Sequence, residues 1–255
     1  MLPPTMSRFG WMTMGMLLMG ILALALGSLA LFIAGAAVFL AGIGLGVAFP
    51  PLRLFGPFVC RGVGDQRQVA LTFDDGPDPR STPVLLDLLR EAGVPAAFFA
   101  VGSRVEAHPE LSARIVREGH LLENHSYAHS NFTNFFGSTR LKTELQRAQS
   151  AIREATGVAP RCYRPPMGLS NPRVFTVARA LGLEVIGWSA RGLDTILHNP
   201  DRVVARIVRR LRPGAILLLH DGNIPAERLV LTVRRLLASL DEHDYEIVRL
   251  DQLLK

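Results

Sequence analysis

Two acidic residues stand side by side, Asp74 and Asp75, where an apolar run stops in the stretch LTFDDGPDPR, residues 71–80. Neighbouring side chains on a strand point to opposite faces, and like charges this close raise the cost of ionising both. Asp, Gly and Pro also favour an ordinary turn at a strand end. Alone, then, the pair marks either a turn or a place where something positive sits beside the acids. Further on, NHSYAH holds His125 and His129 four residues apart. On a helix that spacing would put both imidazoles on one face, within reach of one metal ion. A carboxylate from the acidic pair then completes a two-histidine, one-carboxylate set with open positions. Such a set suits zinc-type hydrolysis, and equally a ferrous oxygenase. The cation would offset the repulsion between the acids, one ligating it and the other handling a proton.

Two later stretches add to the set. YRPPMG (163–168) places Arg164 before a stiff Pro-Pro turn, and ILLLHDG (216–222) delivers His220 at the end of a wholly apolar run. A histidine leaving a buried strand can be a satisfied core group. Followed by Asp-Gly, and at the same end of the fold as the other motifs, His220 reads as a catalytic acid.

The elements that must position these residues alternate. Strands are expected at 69–73, 97–101, from 121, at 162–163, 184–188, 215–219 and 246–250. Helices are expected at 82–91, 109–118, 141–155, 201–211 and 226–240, with 172–181 continuing the pattern. Alternation of this kind implies a parallel sheet with helical cover. About seven units in roughly 190 residues fit a (β/α) barrel somewhat below the usual eight-fold size. Polar residues that follow the strand C-termini of such a barrel gather on one face, and the residues above do so.

Ahead of this domain the chain is different. Residues 9–52 contain no charged side chain. A secretory signal has a shorter apolar core followed by polar sequence; here the apolar sequence continues. One straight helix of this length would be about twice the hydrocarbon thickness, so two spans are expected, at 11–26 and 29–49, turning at Gly27-Ser28. The organisation is then a tail (1–10), a transmembrane hairpin (11–50), a juxtamembrane linker (51–67) and a catalytic domain (68–255). The formal charge is +6, and Lys142 and Lys255 are the only lysines. No basic run carries interleaved aromatics, which argues against nucleic acid as a partner. Attraction to anionic lipid headgroups is compatible with the charge. Cys60 and Cys162 have neither zinc-site nor framework spacing.

Thr72-Phe73-Asp74-Asp75-Gly76-Pro77, His125-Ser126-Tyr127-Ala128-His129, Arg164-Pro165-Pro166-Met167-Gly168 and Leu218-Leu219-His220 together resemble the polysaccharide deacetylase family, the NodB-homology domains of carbohydrate esterase family 4. Order and spacing match from about Gln68 to the end of the chain. The resemblance implies a distorted (β/α) barrel and metal-dependent removal of an N-linked acyl group from an amino sugar. It implies Asp75, His125 and His129 as ligands of a divalent metal, zinc first, with Co2+, Ni2+ or Mn2+ as substitutes. Asp74 becomes the general base, the backbone N–H of Met167 an oxyanion donor, and His220 the acid that protonates the leaving amine. Arg164 would orient Asp74, and Asp194 would support His220. No organic cofactor is implied. Met167 stands where the family carries an aromatic, and SARGLDT (189–195) replaces an Asp-x-x-Asp-Trp motif, with Thr195 for the tryptophan. Phe132, Phe135 and Phe136 are expected to pack in the core.

The expected activity is removal of an N-acetyl group from an amino sugar, in a glycan or lipid-linked saccharide at the membrane. A deformylase or deacetylase of a polyprenyl-phosphate-linked sugar is a close variant. A ferrous oxygenase and an inactive sugar-binding membrane protein are the alternatives from other classes. Arg8, Arg53, Arg61 and Arg67 flank the apolar segment and favour a cytoplasm-facing domain.

Overall fold

In the computed structural model, which describes residues 7–255, Ser7 caps a helix α1 (Arg8–Ala25) and Ser28 caps α2 (Leu29–Ala48). The two run antiparallel, with Gly42 against Met12 and Gly35 against Met19. Leu17, Leu24, Leu29, Val38 and Leu40 turn their side chains outward, each more than half exposed.

The barrel begins with β1 (Gln68–Asp74) and α3 (Thr82–Ala92), followed by β2 (Ala97–Ala100), α4 (Gly102–Ala107), α5 (Pro109–Arg117) and β3 (Leu121–Asn124). Then come α6 (Ser138–Thr156), β4 (Cys162–Tyr163), α7 (Pro172–Ala180), β5 (Glu184–Val185) and β6 (Ala190–Arg191). The chain ends with α8 (Pro200–Val208), β7 (Ala215–His220), α9 (Ala226–Glu242), β8 (Glu246–Ile247) and α10 (Leu250–Leu253). The strands are parallel in the order β5-β4-β3-β2-β1-β7-β6, and β8 pairs with the start of β1. This is the expected distorted barrel, open between β5 and β6.

Strand alternation sorts the side chains. Val69, Leu71 and Phe73 pack outward under the helices, while Ala70, Phe99 and Ile216 fill the inside with Leu250 and Leu253. Position 74 is therefore an inward position. The parallel register sets Asp74 opposite His220 at the ends of β1 and β7, so base and acid candidates are neighbours before any loop is considered.

Three expectations change. Residues 51–67 are not a free linker: Phe55, Phe58 and Cys60 are buried. Val59 donates to Val185 O (3.0 Å) and accepts from Gly187 N (2.7 Å), and Gly62 N bonds Gly214 O (2.8 Å). This strip covers the free edge of β5 and runs on to the start of β7, in the opening of the barrel. The stretch expected as one strand at 246–250 divides into β8 and α10, because Leu250 and Leu253 turn in to close the barrel floor. Of the three phenylalanines, only Phe136 is buried; Phe132 is 69% and Phe135 76% exposed.

Candidate active site

Asp74 ends β1 with its side chain pointing inward, but Asp75 has already left the strand. Its φ of 75° is left-handed, a conformation that costs a non-glycine residue energy and needs support from its surroundings. That turn brings both carboxylates to one pocket. His125 Nε2 lies 3.4 Å from Asp75 Oδ1 and 3.9 Å from Asp74 Oδ2, and His129 Nε2 lies 3.1 Å from Asp75 Oδ1. The strand rule that made the pair puzzling holds for Asp74 alone.

The histidines sit on a loop after β3, not on a helix, with Ser126 and His129 at φ of 65° and 48°. Side chains build this loop. Asn124 accepts from Ser126 N (2.8 Å) and donates to Leu145 O, Ser126 Oγ accepts from His129 N, and Glu144 accepts from Ala128 N. The convergence that i, i+4 spacing suggested is reached by a tight turn instead. Asn124 is the positioning residue that motif reading passed over, although it opens the NHSYAH stretch.

His125 Nδ1 donates to Arg164 O (2.7 Å), which leaves Nε2 with its lone pair facing the pocket. Asp75, His125 and His129 can each offer one ligand atom, all within 4.8 Å of one another. A tetrahedral centre with bonds of about 2.0–2.1 Å spaces its ligands about 3.3 Å apart, close to the separations found. The donor set thus fits a divalent metal with open positions. Burial would raise the Asp75 carboxyl, but the imidazoles of His125 and His129 beside it outweigh burial and hold it well below the usual carboxylate range.

Arg164 is fully buried. It donates to Asp74 Oδ1 (2.6 Å), Thr72 Oγ1 (2.9 Å) and Gly187 O (2.9 Å), and its guanidinium lies 3.9 Å from the Phe99 ring centre. Charge-assisted bonds of this kind are the strong ones, so Asp74 is fixed in direction. Across the site, Asp194 accepts from His220 N (2.8 Å) through one oxygen and bonds His220 Nδ1 (2.9 Å) through the other. Burial opposes the imidazolium, but the bond to Asp194, its charge and those of Asp74 and Asp75 win, and His220 is pushed up to about 9. The structure therefore brings together every expected side chain: Asp74, Asp75, His125, His129, Arg164, Asp194 and His220.

Asp221 directly follows His220. Its fully buried carboxyl accepts from Thr82 Oγ1 (2.6 Å), and Ser81 Oγ donates to its backbone carbonyl. A Cβ on Gly76 would lie 2.1 Å from Asp221 Oδ2, so only glycine fits there. The DDGP turn is thereby clamped between β7 and the start of α3.

Met167 has a φ of 58° and is 60% exposed; Gly168 follows at φ 67°, where a Cβ would meet the Trp188 ring at 2.2 Å. Trp188 is partly exposed beside this turn, so the site keeps an aromatic near Met167, although Thr195 is exposed and apolar Ile196 follows it.

A family model described as polysaccharide deacetylase matches residues 61–186. A chitooligosaccharide deacetylase of Bradyrhizobium sp. (strain ANU 289) is 37% identical over 210 residues, covering 76% of this chain and 95% of its own. The chain belongs to the polysaccharide deacetylase family. Another family relative, a peptidoglycan-N-acetylglucosamine deacetylase of Bacillus cereus, is 33% identical over 193 residues, 75% of this chain and 90% of its own. Among solved structures, a pseudoenzyme of carbohydrate esterase family 4 from Bacillus anthracis superposes with a TM-score of 0.72 at 27% identity, covering 78% of this chain and 69% of that one. The barrel fold is thus the family's.

Proposed function

We propose that this chain is a metal-dependent N-deacetylase acting on N-acetylated amino sugars of a glycan, anchored in a membrane by its apolar hairpin. One observation carries the chemistry: two carboxylates face two imidazoles, while a separately charged histidine stands in register across the pocket. The relatives' names, chitooligosaccharide and peptidoglycan-N-acetylglucosamine deacetylase, supply the substrate class.

Asp75, His125 and His129 would hold the cation, zinc suiting the donor set best. When bound, it supplies a more acidic water and polarisation of the acyl carbonyl. Asp74, held by Arg164, accepts the proton of the attacking water. The Met167 N–H donates to the oxygen that gains charge at the carbonyl. His220 then gives its proton to the amide nitrogen as the C–N bond breaks, releasing the free amine and a carboxylate. Asp194 keeps that proton available. Base and acid are separated by their partners, Arg164 on one and Asp194 on the other.

Inactive sugar-binding relatives usually lose a ligand or the base; here the three ligand candidates and the base candidate are all present, which supports the catalytic reading. A ferrous oxygenase would need dioxygen for turnover, which a hydrolase does not. Measuring metal by elemental analysis tests the reading: the intact chain should hold one divalent ion, and His129→Ala should sharply lower occupancy. Full occupancy in that variant would remove His129 from the ligand set.

A lipid-linked amino sugar is the second reading. Thr195 and Met167 stand at the mouth without rings, Phe132 and Phe135 are exposed beside the histidine loop, and a membrane-inserted hairpin would hold the domain near lipid-linked substrates.

A further inference from the structure

The base of the hairpin meets the barrel along α7, and the junction encloses a cleft of about 530 Å³. Arg8, Arg53 and Arg179 line it, together with Phe55, Phe175 and Thr176, and no carboxylate lies among its lining residues. None of the three arginines forms an ion pair among the described residues. Two are nonetheless held in place. Arg8 Nη1 donates to Leu52 O (2.6 Å) and Arg53 Nε to Phe58 O (3.1 Å). Neutral carbonyls orient these guanidiniums without cancelling their charge, and each keeps further N–H groups free.

The position of the cleft says what meets it. Arg8 is the first residue of α1, and Arg53 follows five residues after the end of α2. Helices of 18 and 20 residues span about 27 and 30 Å, the thickness of a hydrocarbon core. With the hairpin inserted, both arginines lie at the depth of the phosphates, and the buried rings of Phe55 and Phe175 form an apolar floor. We infer that this cleft binds the phosphate group of an anionic membrane phospholipid. The inference rests on membrane insertion of the hairpin, and it goes beyond the deacetylase reading, which it does not need. The bound lipid neutralises a cation cluster that the protein leaves uncompensated, and it joins the hairpin to α7.

The test uses the full chain in nanodiscs of equal phosphatidylcholine and phosphatidylglycerol, with retained lipid counted by native mass spectrometry after mild detergent release. The chain should keep one phosphatidylglycerol in preference to phosphatidylcholine. Retention should fall roughly fivefold for each arginine removed, in Arg179→Gln and further in Arg53→Gln/Arg179→Gln. Arg179 makes no side-chain hydrogen bond among the described residues, so Arg179→Glu supplies a second variant should the double one misfold, and a melting curve monitors this. Retention of the two lipids in their bulk ratio overturns the inference, as does full retention in Arg179→Glu. Displacement of the lipid by submillimolar inorganic phosphate would make the cleft a free-phosphate site and overturn the lipid assignment. Alkaline carbonate extraction is run in parallel. Release of the chain by carbonate overturns the membrane reading, whereas a chain that stays embedded without lipid preference overturns the headgroup site alone.

Discussion

In the proposed reaction the proton that leaves with the amine comes from His220, whose pKa its carboxylate neighbours push up to about 9. A group raised in this way is charged below its pKa and loses its proton as pH climbs through it. Amide turnover should therefore fall on an alkaline limb set by His220, at or below pH 9, because a bound cation offsets the contribution of Asp74 and Asp75. Asp194→Asn removes the largest favourable partner and should move that limb to lower pH. A limb that does not move in kcat profiles would take His220 or its partner out of the proton path. Asp74→Asn should keep its metal yet lose on the order of 10²–10⁴ in turnover. His220→Ala should lose amide hydrolysis while hurting activated esters less, since a good leaving group needs no proton. At this scale the side chains were legible because their types and order are distinctive. Two things were not. A strand pattern cannot announce that Asp75 turns left-handed. Nor could the distance in sequence from Gly76 to Asp221 reveal that their atoms compete for one space.

The histidine loop, the DDGP turn and the closing strip are the elements that hold the site. Asp221 belongs to the second of these. Burial, opposed by Thr82 and reinforced by Asp75 and Asp74, pushes its carboxyl up to about 7. Its folded pKa lies above the ordinary value of about 3.9. Its stabilising contribution is therefore complete below about pH 4, is lost as pH rises toward 7, and changes no further above that. In metal-free protein, Asp221→Asn should flatten the fall in melting temperature between pH 5 and pH 8; an unchanged fall would mean that Asp221 titrates normally. The strip is tested by Phe58→Ala, which empties a fully packed position and should cost about 3–5 kcal/mol, read from thermal unfolding. A mild effect would mean that the barrel closes without it. Longer elements were readable from periodicity, and β1, β7, α3, α6 and α9 lie close to the expected positions. The two-residue β6 carries too little pattern to be seen, and the six-residue α4 has the same difficulty. Phe132 and Phe135 were misread for a different cause: their apolar type predicts burial, and only the loop's path shows them outside.

At the scale of the molecule, two helices that cross a bilayer as a hairpin would put their two ends and the barrel on one side. Under the positive-inside rule, Arg8, Arg53, Arg61 and Arg67 would mark that side as cytoplasmic. A C-terminal alkaline phosphatase fusion should be inactive and a fluorescent-protein fusion bright. Strong phosphatase activity would put the barrel outside and make wall polymer the substrate. On the cytoplasmic side only precursors are available, and rate should then depend little on chain length. A long chitin-type oligomer turned over far faster than a monosaccharide on a lipid phosphate would end the lipid-linked reading. Which side the barrel faces was the least legible property, because it rests on four arginines near the ends of the apolar segment. The strip at Val59 has a mechanical consequence here. A deacetylase on a slack leash could sweep a hemisphere and graze on distant glycan. This one has its mooring hydrogen-bonded into the barrel wall within a dozen residues of the hairpin. With the hairpin in a bilayer, its mouth would ride at a set height and tilt, and diffusion of the whole chain in the plane would replace swinging as the way it meets substrate. Substrate would then be reached only in a thin layer next to the bilayer, and amino sugars beyond that layer would stay acetylated however abundant the enzyme.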